Sequence, residues 1–313
     1  MSMSPPLRSV DEFMSAQAEL LDGITILDRS CPICGSSNSS TKASRFSLGQ
    51  WPIKECHRCT MVYITRAPDQ AALIEDYDWN KSTKLEDQWR DSSRPVIETL
   101  HRRLRWRSKI LRRPSLAQRL AETVRSGPVI DVGCGDGAEL ATLPRTFTAI
   151  GIEISASSAD RAKQKLAGRP VEILTNSALE GLKSLESNSC SGAVLRSYLE
   201  HEADPRAVVE ELGRVLIEGG VALVKVPNFA SLNRVVMGKK WCGFRHPDHL
   251  NYFTPNTLRL IGRVGGFDAR FKFFDALPTD DNVVVTYINT KRPHQVYELL
   301  GTGSQNDTSP TYI

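Results

Sequence analysis

The segment Val129-Ile130-Asp131-Val132-Gly133-Cys134-Gly135-Asp136-Gly137 constrains this chain more than any other. A short apolar strand, Pro128 to Val132, delivers the backbone into a sharp turn, and glycines let that turn approach a ligand closely. In an open α/β sheet such a ligand sits outside the carboxyl ends of the strands. The next strand ends Ala149-Ile150-Gly151-Ile152-Glu153, and Glu153 offers a carboxylate able to accept both hydroxyls of a ribose. Gly133-x-Gly135-x-x-Ala138 also satisfies a nicotinamide-dinucleotide fingerprint. Three features favour a different ligand. Asp131 stands two positions before the first glycine, a poor neighbour for a pyrophosphate and a good one for a cationic amino-acid group. A third glycine follows at Gly137, and the sheet closes antiparallel.

Strand–helix alternation runs on from residue 128. Strands are expected at Phe147–Ile152, Val171–Leu174, Gly192–Leu195 and Val221–Val226, with helices between, one of them passing through Ala159 and Leu166. Repeated βα units mean a parallel sheet covered on both faces. Phe267–Phe274 and Asn282–Ile288 read as two further strands with no helix between them. The expectation is an α/β, doubly wound, mostly parallel seven-stranded sheet over residues 127–290. Ahead of it come an N-terminal arm (1–30), loose but for an amphipathic stretch from Phe13 to Leu21, a cysteine-punctuated module (31–66) and a helical connector or cap (67–126). A polar tail (291–313) follows. The connector carries Tyr77, Trp79 and Trp89. Its helix has Pro95 in the first turn and Leu100, Leu104 and Leu111 on one face, and a second short helix covers about 115–125.

The 313 residues, 40% hydrophobic and 24% charged, describe an ordinary globular chain. No apolar run approaches the ~18 residues that span a bilayer, so no membrane partner is expected. The first residues show no basic-then-apolar leader. A cytoplasmic location follows, with the seven cysteines as thiols or metal ligands. The net charge of +4 is local: residues 89–125 hold ten arginines and Lys109 against Asp91, Glu98 and Glu122. That stretch is either a solvated helical face or a grip for a phosphate-bearing partner.

In this arrangement the sequence resembles the class I S-adenosylmethionine-dependent methyltransferases over about residues 128–290. The glycine loop (Asp131, Gly133, Cys134, Gly135, Gly137) looks like their first motif, and Glu153-Ile154 like their ribose-binding acid and its neighbour. Leu199-Glu200-His201-x-x-x-Pro205 resembles the segment after their fourth strand. Arg214-Val215-Leu216-x-x-Gly219-Gly220 and Val226-Pro227-Asn228-x-x-Ser231 resemble the entry and exit of their fifth. His249-Leu250-Asn251-Tyr252-Phe253-Thr254-Pro255, with Gly266-Phe267, looks like a stretch of subfamilies acting on sugars, quinone precursors and other small metabolites. The resemblance implies S-adenosylmethionine as cofactor. Asn176-Ser177-Ala178 then occupies the place of the usual adenine-flanking pair.

A cofactor whose methyl sits on a sulfonium already has a good leaving group. The protein must align the acceptor and, for a hydroxyl or acidic carbon, supply a base. Candidates are His201, His249, Tyr252 and Tyr198. His246, Asp248 and His249 form a compact polar cluster that could instead hold a metal. Trp241, Phe244, Tyr252 and Phe253 suit the wall of an acceptor pocket, or a core.

Cys31-Pro32-Ile33-Cys34 and Cys56-His57-Arg58-Cys59 are two C-x-x-C knuckles, each able to aim two thiolates at one tetrahedral Zn²⁺. Four thiolates leave no open position, so zinc at Cys31, Cys34, Cys56 and Cys59 would be structural. Cys134, Cys190 and Cys242 read as packing residues. Leu48-Gly49-x-Trp51-Pro52-Ile53-x-x-Cys56 also resembles the zinc ribbons preceding sugar C-methyltransferase domains.

The leading expectation is methyl transfer to a small-molecule acceptor: a sugar, a nucleotide-linked sugar or a secondary metabolite. The first alternative is an RNA methyltransferase gripping phosphates with the ribbon and the arginine-rich helix, although no Asn-Pro-Pro-Tyr-type motif follows the fourth strand. The second is a non-catalytic zinc-ribbon adaptor.

Overall fold

The structure is a computed structural model and describes residues 10–69, 85, 114–124, 126–294 and 300. The connector helix with Pro95 and Leu100, the aromatics Tyr77, Trp79 and Trp89, and most of the arginine-rich stretch lie outside the described residues.

Seven strands form the main sheet: β5 (Val129–Val132), β6 (Ala149–Glu153), β7 (Val171–Thr175), β8 (Cys190–Arg196), β9 (Leu216–Pro227), β11 (Phe267–Arg270) and β12 (Asn282–Asn289). Their order is β11-β12-β9-β8-β5-β6-β7. Five strands, β9-β8-β5-β6-β7, run parallel, and β12 pairs antiparallel with both β9 and β11. This is the mostly parallel seven-stranded sheet expected, with its antiparallel finish. One expected strand is shorter than its sequence suggests. β11 stops at Arg270, and Phe273–Asp275 turn into a 3₁₀ helix that leaves Phe273 and Phe274 exposed. Every residue of β5 is buried, as a strand covered on both faces requires.

The helices start where the sequence offers caps. Ser115 and Gln118 close a capping box on α2 (Leu116–Thr123). Asp204 caps Pro205–Val215, and Thr254 with Thr257 caps Pro255–Val264, each with proline in the first turn.

The topology places the ligand site. From β5 the chain steps to β6 and β7 on one side, then returns to β8 and β9 on the other. The crevice between β5 and β8 is therefore the switch point of the sheet, where open α/β sheets bind ligands.

Two small sheets are built largely from residues ahead of the main sheet. β1 (Ile26–Asp28) pairs with β4 (Arg66–Pro68). The hairpin β2 (Ile53–Glu55) and β3 (Val62–Ile64) gains a third strand from far along the chain, β10 (Asn251–Tyr252), through Asn251↔Tyr63 and Tyr252↔Val62. The arm is more ordered than expected from residue 10 onward. Val10–Leu20 form a helix, α1, whose Phe13 is buried. Gln17 on α1 donates to the carbonyl of His246 and accepts from Trp51 Nε1 at 3.2 Å. Two long-range hydrogen bonds and an apolar anchor hold the helix where polarity alone suggests a free end.

Candidate active site

The crevice encloses about 330 Å³, lined by Asp131, Gly133, Cys134, Asp136, Ala138, Glu139, Arg196 and Ser197. Gly133, Gly135 and Gly137 all take left-handed backbone, with φ of 73°, 56° and 77°. At Gly133 a side chain would also collide with its surroundings, because a Cβ would lie 2.5 Å from Tyr198 Cδ2. Four loop amides are bonded within the protein. Gly133 and Cys134 donate to Ile152 O at 2.8 and 3.0 Å, Gly137 to Cys134 O at 2.9 Å, and Gly135 to Glu153 Oε2 at 2.8 Å. These amides are already committed, where a pyrophosphate would need them.

The polar groups left facing the crevice are mainly acids. Asp131 is 2% exposed and its Oδ2 has no hydrogen-bond partner. Burial, reinforced by Glu139 and Glu153, pushes its carboxyl up to about 8. A buried orphan carboxylate is costly unless a cation or donor meets it. Glu139 accepts from Arg196 Nη1 at 3.1 Å and from the Ala117 amide at 3.1 Å, which ties α2 to the crevice. Glu153 accepts from the Ser155 amide at 2.8 Å through its other oxygen, and each oxygen keeps a second lone pair. The Cys134 thiol is held up at about 12 by burial and the neighbouring acids, so it packs as a neutral group.

Ile154 follows Glu153 at the sheet edge, half-buried. Asn176 is exposed and donates its amide to Glu153 O at 3.2 Å; Ser177 caps the helix Ala178–Lys183, and Ala178 is buried. The loop, Glu153 and Asn176–Ala178 therefore lie along one edge of the sheet.

The expected acceptor-side residues separate into two places. Tyr198 packs its ring on Gly133 and donates its hydroxyl to Glu202; burial and Glu202 keep that phenol far above its ordinary range. His201 and His249 meet edge to face, with ring centroids 4.6 Å apart. His201 Nδ1 is 2.9 Å from Asp248 O, and burial lowers its pKa to about 4. Tyr252 lies elsewhere. It is 1% exposed and shares a core with Trp51, Ile53, Trp241 and Phe244. The wall expected from Trp241, Phe244 and Tyr252 is thus a core that the hairpin shares with the stretch around β10, while Phe253 joins the main core. His246 also turns into this shared core, stacked on Phe244 and lowered to about 4 by burial, so it does not join Asp248 and His249 in one cluster.

The four cysteines converge. Cys31 Sγ lies 3.3 Å from Cys59 Sγ and Cys34 Sγ 3.5 Å from Cys56 Sγ, and all four sulfurs lie within 4.8 Å of one another. Of the other three, Cys134 and Cys190 are buried as expected, but Cys242 is exposed, because its two neighbours Trp241 and Gly243 take the inward positions.

Sequence reasoning passed over Asp136, Ala138, Glu139, Arg196 and Ser197. Arg196 and Ser197 carry no sequence signal; strand order alone places them, at the end of the strand beside β5. Ser197 holds a left-handed φ of 52°, a conformation that clusters at functional sites.

A family model for a methyltransferase domain matches residues 99–270. The chain belongs to that methyltransferase family. A curated relative, an uncharacterized 37.1 kDa protein in transposon TN4556 of Streptomyces fradiae, is 31% identical over 107 residues, 33% of this chain and 31% of that one. The match thus spans about a third of the relative's length. Similar solved structures include a Thermotoga maritima S-adenosylmethionine-dependent methyltransferase described as a possible histamine N-methyltransferase (20% identity, TM-score 0.44, 63% of this chain and 96% of that one). An O-methyltransferase family protein of Burkholderia thailandensis is similar at 15% identity and TM-score 0.46, over 66% of this chain and 60% of that one. A Haloferax volcanii putative methyltransferase, solved in complex with the Trm112 activator, is similar at 17% identity and TM-score 0.44, over 57% and 88%.

This chain is a methyltransferase by its family, and the matched span holds the crevice. Its crevice fits the cofactor's chemistry, with an orphaned buried carboxylate for a cationic end and glycines that keep the loop free of side chains. Among the described residues, no helix is long and apolar enough to cross a membrane.

Proposed function

We propose that this methyltransferase acts on a small-molecule acceptor, a sugar, nucleotide-linked sugar or secondary metabolite, at oxygen or carbon. The observation that carries this reading is the acid-lined crevice of about 330 Å³. Its size suits a small ligand. The buried, unpartnered carboxyl of Asp131 favours a cationic donor, whose positive end draws out its ionised form.

In this reading Asp131 holds the ammonium of S-adenosylmethionine, Glu153 takes the ribose hydroxyls, and Asn176, Ser177 and Ala178 border the adenine. When bound, the cofactor supplies a methyl group already activated on a sulfonium. Tyr198 shapes the wall over Gly133, its hydroxyl committed to Glu202. His201 and His249 serve the acceptor side, and Tyr252 supports them from the core it shares with the hairpin. Cys31, Cys34, Cys56 and Cys59 hold a structural Zn²⁺: tetrahedral Zn–S bonds of ~2.3 Å put sulfurs ~3.8 Å apart, close to the spacing of the cluster. Thiolate ligands suit the reducing cytoplasm.

The test is transfer of a labelled methyl group by the zinc-loaded enzyme to pools of nucleotide-linked sugars and of total RNA. Label in the small-molecule pool, lowered at least about tenfold by His201→Ala at unchanged S-adenosylhomocysteine affinity, supports the proposal. Label in RNA alone overturns it.

A further inference from the structure

Glu200, His201 and His249 each bring one ligand atom to positions within 4.8 Å of one another. The two segments that carry them are stitched together by the main chain. Glu200 O accepts from the Leu250 amide at 2.7 Å and the Asn251 amide at 3.0 Å. The Asn251 side chain donates to Leu199 O at 2.9 Å and Glu202 O at 2.6 Å. Arg29 clamps the outside, donating to Ala203 O at 2.9 Å and Asn251 Oδ1 at 3.2 Å. The three side chains are held in place by the fold itself.

The histidine tautomers are set the same way. His201 Nδ1 faces Asp248 O at 2.9 Å and His249 Nδ1 faces Gly243 O at 2.8 Å. A carbonyl only accepts, so each Nδ1 carries the proton and each Nε2 carries the lone pair. Imidazole oriented by a backbone carbonyl at one nitrogen is the usual support of a metal ligand. The carboxylate adds a second, independent sign. Glu200 is 1% exposed, and its Oε2 has no hydrogen-bond partner. A buried oxygen of this kind calls for a cation.

We propose that Glu200, His201 and His249 form a divalent transition-metal site, separate from the four-cysteine cluster. Two imidazoles and a carboxylate suit Mn²⁺, Fe²⁺, Co²⁺ or Zn²⁺ and leave positions open for an outside ligand. Ser197, on the crevice wall, lies on the same stretch of chain as Glu200. On the small-molecule reading above, on which this extension rests, the outside ligand is an oxygen of the acceptor.

The test uses the full chain with its zinc in place, dialysed against citrate and titrated with Mn²⁺ alone. Thiolates select zinc over Mn²⁺, so the cysteine cluster does not compete. One Mn²⁺ per chain is expected by electron paramagnetic resonance, with couplings to two nitrogens that change on ¹⁵N-histidine labelling. Glu200→Gln and His249→Ala should each weaken binding more than about tenfold without loss of zinc. The labelling measurement needs only the wild-type chain, so it decides even if a variant fails to fold. No binding at millimolar Mn²⁺, bound Mn²⁺ without nitrogen couplings, or unchanged affinity in both folded variants overturns the site. S-adenosylhomocysteine calorimetry and the Mn²⁺ titration are both read without any acceptor, so each fails or succeeds on its own. A metal site without the expected acceptor removes only the extension.

Discussion

The ring of Tyr198 lies so close over Gly133 that a Cβ on that glycine would sit 2.5 Å from Cδ2. The two residues follow the ends of adjacent parallel strands, β5 and β8, so the contact packs the two strand ends together beside the crevice.

Gly133→Ala should therefore lower the unfolding temperature and abolish S-adenosylhomocysteine binding. Tyr198→Ala in the same chain should recover part of the stability loss by removing the collision. Gly135→Ala meets nothing within 4 Å and has only its φ of 56° to answer for, about 1–2 kcal/mol. Thermal unfolding and calorimetry on the variants check this; equal losses at both glycines would show that the tyrosine contact is immaterial.

Asp131 predicts a pH dependence. Its folded carboxyl titrates at about 8, above the ordinary 3.8, so the native state holds a proton that the unfolded chain has released. The contribution is fully present below about pH 4 and is lost as pH climbs to about 8. Wild type should lose stability relative to Asp131→Asn across that window, with the steepest slope near 1.4 kcal/mol per pH unit. A cationic ligand needs the ionised form, so binding should release a proton below pH 8 and weaken by up to about tenfold per unit of acidification. Calorimetry in buffers of different ionisation enthalpy measures that proton; proton release retained in Asp131→Asn would point to another group.

Glu153 braces the loop through the Gly135 and Ser155 amides. Glu153→Ala should weaken S-adenosylhomocysteine affinity at least about a hundredfold, since it removes a charged acceptor and frees two amides, each loss of order 1.5–3 kcal/mol. Unchanged affinity by calorimetry would remove the ribose assignment.

Zinc removal should be felt beyond the cysteines. β10 completes the hairpin sheet, so chelation or Cys34→Ser should loosen the segment from Trp241 to Phe253. Hydrogen exchange at the Ile64 and Leu250 amides reads this directly: the Ile64 amide donates to Leu250 O at 2.9 Å, and the Leu250 amide to Glu200 O at 2.7 Å. Protection at both that survives complete loss of zinc would refute the coupling.

The parallel sheet and its antiparallel end were legible because each depends on local pattern: short apolar strands, capped helices and a glycine turn. The convergence of the four cysteines was legible because two short knuckles announce themselves. Tyr252 was not. A buried aromatic and a pocket aromatic look alike in sequence, and what decides between them is the hairpin that packs on this one from far along the chain. The order of α1 was hidden for the same reason, since its hold comes from Trp51 and His246. Arg196 and Ser197 carry no motif and are found only from strand order.

The Tyr63–Asn251 pairing has an evolutionary corollary. A ribbon that lends its edge to a strand next to His249 is no detachable cartridge. Recombination that trades this ribbon for another must keep the register of that one pairing, or the exchanged protein inherits a displaced His249 along with its new front end.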